Sequence, residues 1–459
     1  MNHNCSKPLI NLLRGWPNPK LLPAPFIKAA ANTCLSDSEI YTPGLLYGPD
    51  AGYEPLREEV ARWLTNFYRP SSPISLNRIC ITGGASQNLA CVLQVFTDPI
   101  YTNVWMIAPT YFLACRIFED NGFSGRLRAV PEDEEGLNIE FLERELRKSD
   151  QEAKAHGTTH PTIKKARPWS KIYRHLIYAV PTFANPSSKT MSLLRRQQLV
   201  RIAREHDALI VSDDVYDQLQ WDTNASKTSS MGQTILPRLV DVDRELDGGS
   251  EMASSDQFGN TLSNGSFSKI LGPGCRTGWA EGTEKLAYGI SQTGSSRSGG
   301  APSHLTATFV SEVLKSGDLE NHILHTLQPA YASRYHSMMK AIEKELLPLG
   351  VTLTQPERDV AGGYFIWLSL PEPLQADELA EVAKRKENLI VAPGSIFAVV
   401  GDEQGINLDR DIRLCFSWEE EEKLSEGIRR LGSVMRHMKE GKWQGPSDDG
   451  KDRDVGQYQ

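Results

Sequence analysis

Between about Asn77 and Asp214 the chain alternates short apolar runs, rich in β-branched residues, with amphipathic stretches. The runs are RICIT, NVWMIA, GRLRAV, HLIYAV and ALIVSD; Ser192 to His206 typifies the stretches between them. Uninterrupted apolar runs separated by helical periodicity predict an α/β fold, a mostly parallel sheet with helices on both faces. Ligands in such sheets bind at the carboxyl ends of the strands. Upstream, Leu56, Val60, Trp63, Leu64 and Phe67 recur at helical spacing and predict a helix. Downstream, the chain turns helical from about Leu319, and then GGYFIWLSL, NLIVAPG and DIRLCFSW predict strands of a second layer. Ser417 followed by Glu420 has the spacing of a capping box for a last helix through Leu424, Ile428 and Leu431.

Other segments break the pattern. Leu9 to Pro25 holds Trp16, Pro17, Pro19, Pro23 and Pro25, which predicts an extended, wrapping arm. YTPGLLYGPD is rich in turn residues and is expected to be a loop. Lys148 to Lys171 and Asp222 to Asn264 are polar and are expected to be surface insertions or mobile loops. The resulting division is an N-terminal arm with part of a small domain (1–46), a large domain (47–318), a small α+β domain (319–441) and a disordered tail (442–459).

Composition narrows the function. The 459 residues are 39% hydrophobic and 24% charged, ordinary for a globular protein long enough for two domains. A net charge of -8 supplies no general attraction to nucleic acid or acidic membranes. The seven cysteines are scattered without a C-x-x-C pair, which argues against a zinc site or a disulfide framework; no metal is expected. No apolar stretch approaches membrane-spanning length, and the N-terminus lacks the pattern of a secretory signal, so a cytoplasmic location is expected.

The densest chemistry lies in SNGSFSKILGPGCRTGW, Ser263 to Trp279. Lys269 has no acidic neighbour in sequence, and a lysine so placed is readily shifted toward the neutral, nucleophilic amine. Ser266, Ser268 and Arg276 could converge on a phosphate, with the glycines letting backbone close around it. A glycine-rich surface turn with an exposed Lys and Arg is the plainer alternative. ALIVSDDVYDQL ends a strand with Asp213 and adds Tyr216 three residues later. A carboxylate there could keep a pyridine nitrogen protonated, or simply cap the next element. Asn185-Pro186 is a second polar strand end, or a plain turn. Backbone N–H groups of Ala85 and Ser86, after Gly84 at a helix start, form an anion site. Tyr111 could stack on an aromatic ligand or fill core. Arg413, inside an apolar strand, requires a carboxylate, either a substrate's or an internal one.

Taken together, YGPDAGYEPLRE, GGASQN, PTY, the FANP stretch, SDDVY, SFSK followed by Arg276, and IRLCFS resemble the class I/II aminotransferases of pyridoxal-phosphate (PLP) fold type I. The opening INLLRGWPNPKLLP is similar to the branch with 2-aminoadipate, aromatic and valine–pyruvate enzymes. The resemblance implies a pyridoxal 5'-phosphate cofactor held as a Schiff base by Lys269, and amino transfer between an α-amino acid and a 2-oxo acid. It implies that Asp213 pairs with the pyridine nitrogen and that Tyr216 and Asn185 hold the ring oxygen. Tyr111 would stack on the ring, and Gly84, Ala85, Ser86, Ser266, Ser268 and Arg276 would hold the phosphate. Arg413, Asn185 and Gly15 would bind substrate. Tyr47 would reach the phosphate from the second subunit of a homodimer. Ser187-Ser188 departs from the family's Thr-Gly after Asn-Pro. A C–S or cyclising lyase on the same scaffold, and a non-catalytic ligand-binding protein, are the alternative functions.

Overall fold

The computed structural model describes residues 7–440 except 228, 253–254, 298–301, 355, 357–358 and 403–405. The predicted runs become strands of one large sheet. Its members are β1 (Ile79–Thr82), β2 (Asn103–Ala108), β3 (Leu127–Asp133), β4 (Gly136–Leu137), β5 (His175–Ala179), β6 (Ala208–Asp213), β7 (Thr261–Ser266) and β8 (Gly278–Glu281). They lie in the order β1-β8-β7-β6-β5-β2-β3-β4. The pairs β3/β2, β2/β5, β5/β6 and β6/β7 are parallel, and β8 is antiparallel to both its neighbours.

Strand parity sorts the side chains between two faces. Leu176 and Tyr178 of β5 and Leu209 and Val211 of β6 pack with Leu89, Val92 and Phe96. The alternating residues Ile177, Ala179, Ala208 and Ile210 pack with Leu142 and Leu199 on the other face. Register pairs Tyr178 with Val211. Asp213 lies two residues past Val211 and so emerges on the face of Tyr178. The helix Ala85–Phe96 is anchored by Leu89, Val92, Leu93 and Phe96, all buried. Full burial of each such side chain is worth about 1.5–3 kcal/mol, so the start of this helix is a rigid platform.

The second layer is a four-stranded sheet of β9 (Thr352–Leu353), β10 (Phe365–Ser369), β11 (Ala392–Pro393) and β12 (Asp411–Cys415), in the order β9-β10-β12-β11. The N-terminal arm is stitched to this layer. Ile10–Asn11 runs parallel to Leu389–Ile390, Cys415 N donates to Leu12 O at 2.7 Å, and Asn18 Nδ2 donates to Trp418 O at 2.9 Å.

Several expectations from sequence need correction. The arm gives way to helix at Ala24–Ser36, and the helix Ser38–Leu45 runs into the first half of the expected loop. Pro25 lies in a first turn, where its missing N–H costs nothing. The buried face of that first helix carries Ala30 and Cys34, and Cys34 Sγ donates to Thr308 O on the helix His304–Lys315. Helical chain therefore begins well before Leu319. Ser417 does not cap the last helix, Glu421–Lys439, because its hydroxyl donates to Trp16 O at 2.7 Å. Asp222 to Asn264 is not a continuous surface insertion; it includes the largely buried helix Leu239–Glu245 and the first four residues of β7. Residues 442–459, expected to be a disordered tail, lie outside the described residues. Among the described residues no helix is long and apolar enough to cross a membrane.

Lys148 to Lys171 is also more ordered than its composition suggests. Its first residues continue the helix Ile139–His156, which Gly157 ends in the left-handed conformation. Within that helix Asp150 accepts from His175 Nε2 at 3.0 Å and His206 Nδ1 at 2.8 Å. Trp105 Nε1, a donor only, meets His175 Nδ1 at 3.1 Å, so the His175 proton sits on Nε2. Burial would raise the Asp150 carboxyl, but the two histidines hold it down at about 2. A carboxyl depressed in the folded state gives stability above its unfolded value, near 3.8, that is lost as pH falls toward about 2. Asp150→Asn is expected to cost on the order of 1–2 kcal/mol at neutral pH and to flatten the acid-side fall in stability. Urea unfolding at neutral and acid pH checks this; an unchanged acid limb would count against it.

Candidate active site

A cavity of about 520 Å³ opens where the carboxyl ends of the large sheet meet the second layer and the arm. It collects most residues singled out from sequence. Gly15, Ala85, Ser86, Tyr111, Asn185, Asp213, Tyr216, Ser266, Ser268, Lys269, Arg276 and Arg413 all line it. Gly84 and Tyr47 do not. Gly84 caps the helix Ala85–Phe96 at φ 99°, and a Cβ there would stand 3.3 Å from Arg276 Nη2. It therefore backs the wall rather than forming it. Tyr47 is 83% exposed on the same chain.

Lys269 ends a short turn directly after β7. Its Nζ donates to Gly15 O at 2.9 Å and sits 5.2 Å from the Tyr364 ring and 5.8 Å from the Tyr216 ring. Burial pushes its ammonium down to about 8; Arg413 adds to this, and Cys415 and Asp213 oppose it. A lysine so placed offers appreciable neutral amine at physiological pH.

Asp213, at the end of β6, accepts from Tyr178 Oη at 2.7 Å through Oδ2, while its Oδ1 is buried without a partner. Burial pushes this carboxyl up to about 7, Tyr178 opposes the shift and Asp214 adds to it. An unpartnered buried carboxylate oxygen is costly, and a cation opposite it would remove the cost.

At the mouth of the β1 loop the helix Ala85–Phe96 begins without a side-chain cap, leaving its first N–H groups toward the cavity. Across from them Ser266 Oγ and Ser268 Oγ lie 2.9 Å apart. Arg276 is fixed by Gly83 O at 2.8 Å and Pro273 O at 3.1 Å, and each Nη keeps a second N–H. These donors together form an anion cradle.

Arg413 projects from β12 and is fully enclosed. Nη1 donates to Asn185 Oδ1 at 2.7 Å, Nη2 donates to Leu13 O at 2.6 Å, and Nε has no partner. Its guanidinium lies 4.0 Å from the Phe365 ring centre and 4.7 Å from that of Phe397. Burial pushes it down to about 10. An internal acidic partner, one alternative from sequence, is not what holds it; neutral oxygens are.

Sequence reasoning missed Tyr178, Asn264 and Tyr364. Tyr178 shares a sheet face with Asp213, but only the register between β5 and β6 brings the two together. Asn264 accepts from Asn88 Nδ2 at 2.9 Å and donates to Ala85 O at 3.1 Å, tying β7 to the cradle. Tyr364 Oη donates to Lys269 O at 3.1 Å from a remote strand start, a contact no local pattern announces.

Comparison with known proteins places this geometry. The family described as aminotransferase class I and II matches residues 17–431. An uncharacterized protein of Saccharomyces cerevisiae is 35% identical, covering 93% of this chain and 97% of its own. Aromatic-amino-acid aminotransferase 1 of Thermococcus litoralis is 29% identical over 93% of this chain and 88% of its own. The alpha-aminoadipate aminotransferase LysN of Thermus thermophilus, complexed with N-(5'-phosphopyridoxyl)-L-leucine, superposes with a TM-score of 0.70 at 27% identity, covering 94% of this chain and 93% of that one.

The residues present suit the family's cofactor. An aldehyde needs an amine, a pyridine N–H needs an unpartnered carboxylate oxygen, and a phosphate needs a cradle of donors; Lys269, Asp213 Oδ1 and the Arg276 corner offer these within one cavity. The chain belongs to the class I and II aminotransferases: it is a transaminase of PLP fold type I whose cofactor is pyridoxal phosphate.

Proposed function

We propose that the enzyme moves an amino group between an α-amino acid and a 2-oxo acid, with Lys269 as both the residue that carries the cofactor and the proton carrier. The observation behind this reading is the pairing, in one cavity, of an amine held down at about 8 with a buried carboxylate oxygen that lacks a partner. Bound pyridoxal phosphate supplies an electron sink for the carbanion formed at the substrate's α-carbon. Asp213, whose Oδ1 is unpartnered, would hold a proton on the ring nitrogen, with Tyr178 keeping the carboxylate oriented and ionised. Lys269 Nζ takes the α-proton and returns it, a task suited to a base whose pKa lies near working pH. The Gly15 carbonyl aims that amine. Tyr111 would pack over the ring, and Tyr216 and Asn185 would donate to its oxygen. Burial raises both phenols, that of Tyr111 to about 12, so each keeps its proton. Ala85, Ser86, Ser266, Ser268 and Arg276 hold the phosphate. A homodimer, in which the exposed Tyr47 reaches the neighbouring subunit's phosphate, completes the site.

Arg413 grips the α-carboxylate with its remaining N–H groups, the neighbouring Phe365 and Phe397 rings excluding water. Arg413→Lys keeps charge but loses the planar fork, and an amino-acid KM about 10–100-fold higher is expected with a smaller change in kcat. Steady-state kinetics decide; an unaltered KM would remove Arg413 from substrate binding. The reading as a whole is tested with purified protein, pyridoxal phosphate and a panel of amino donors against 2-oxoglutarate and pyruvate. A new oxo acid and a new amino acid in equal amounts are expected. Ammonia release that needs no oxo-acid acceptor would overturn amino transfer in favour of elimination.

A further inference from the structure

The proposed amino transfer leaves one cation of the cavity without a task, and any role for that cation in substrate choice rests on the same reading. Among the described residues, Arg14, Lys269, Arg276 and Arg413 line the cavity, against a single lining carboxylate, Asp213. Phosphate balances Arg276, the α-carboxylate balances Arg413, and Asp213 faces the ring. Arg14 remains.

Its surroundings are built rather than incidental. The Arg14 guanidinium carbon lies 4.8 Å from the Trp16 ring centre and 4.9 Å from that of Trp418. The two indoles stand 5.8 Å apart at 85°. Ser417 Oγ fixes Trp16 through its carbonyl, Asn18 Nδ2 fixes Trp418 likewise, and Arg14 N donates to Asn11 Oδ1 at 3.0 Å. Indole faces attract a cation but accept few of its hydrogen bonds. The Arg14 Nε is buried without a partner, and no carboxylate of the described residues forms an ion pair with this side chain. The fork is thus held in place with its donors unspent. The same cavity also has apolar lining, from Leu13, next to Arg14 in the chain, and from Phe112, Leu113 and Ile117. That lining suits methylene groups between two charged ends.

We propose that Arg14 is the subsite for a second, distal carboxylate, so that the enzyme takes dicarboxylic 2-oxo acids, and the matching amino acids, with a short methylene spacer. An uncharged substrate side chain would bury the guanidinium without satisfying it, a penalty that sets selectivity.

The test uses the full-length holoenzyme and two readouts. First, calorimetry compares glutarate with pentanoate, which has the same carbon chain and one carboxylate fewer. At least tenfold tighter binding of glutarate is expected, and Arg14→Met should erase that preference while Arg14→Lys keeps part of it. Second, the ratio of kcat/KM for 2-oxoglutarate to that for 2-oxohexanoate is expected to fall about 100-fold in Arg14→Met. Equal affinities in the wild type, or a glutarate preference that survives Arg14→Met, would overturn the proposal. So would a wild-type preference for phenylpyruvate over 2-oxoglutarate, which would make the two indoles an aromatic subsite. If no acceptor is turned over, amino transfer fails as the reading, and the calorimetry still decides the role of Arg14.

Discussion

Lys269→Ala is expected to lower amino transfer by at least about 10⁴-fold and to abolish the visible absorption of covalently held pyridoxal phosphate. The size of the effect reflects the two tasks assigned to one amine. Among the described residues no other lysine lines the cavity to replace it. The fold should tolerate the change. Tyr364 holds the main-chain carbonyl of residue 269, which alanine keeps. Deleting the ammonium also removes a charge that burial disfavours. Circular dichroism and thermal unfolding should therefore match the wild type while turnover and absorbance vanish. A variant that still turned over with an intact visible band would place the cofactor elsewhere.

Asp213→Asn is the second large effect, a fall in kcat of about 10³-fold with the cofactor still bound. The amide is nearly isosteric, so packing against β5 and β7 persists, but it cannot balance a protonated ring nitrogen. The pH dependence separates this from mere distortion. The wild-type carboxylate must be ionised to act, and burial raises it to about 7 before any cation faces it. A ring cation favours the ionised form and moves the acidic limb of the kcat profile below that value. Tyr178→Phe removes a donor that favours ionisation, so its acidic limb should move to higher pH. Asp213→Asn should show no such limb. Full activity in Asp213→Asn across the acid-to-neutral range would eliminate the proposed role.

Strands β1, β2, β3, β5 and β6 were legible because they are buried in the sheet and therefore read as apolar runs. Asp213 ends one such run and Asn185 follows another, whereas Lys269 follows β7, TLSNGS, a polar strand whose start reads as part of an insertion. Less was legible where tertiary contacts overrode local signals. Ala24–Ser36 has a proline-rich entry that reads as arm, yet Ala30 and Cys34 bury it against a helix far along the chain. Ser417 has capping-box spacing, but Trp16 O captures its hydroxyl. Lys148 to Lys171 looks solvated by composition, yet Asp98 accepts the N–H groups of Thr162, Ile163 and Lys164 at 3.2, 2.7 and 2.7 Å and pins it down. Tyr178 and Asn264 needed the register between strands, and Tyr364 needed the second layer, neither of which one strand's sequence contains.

The arm holds the two central cations through peptide carbonyls alone: Leu13 O meets Arg413 and Gly15 O meets Lys269. Peptide oxygens survive replacement of the side chain they belong to. Gly15 itself is constrained, since a Cβ there would strike Phe365 at 2.7 Å, and Leu13 is buried among Trp367, Ala392, Phe397 and Leu408, but positions 14 and 16 are not bound in this way. Descendants of this protein could thus exchange those two side chains, and with them their diet of substrates, while inheriting the catalytic scaffold unchanged.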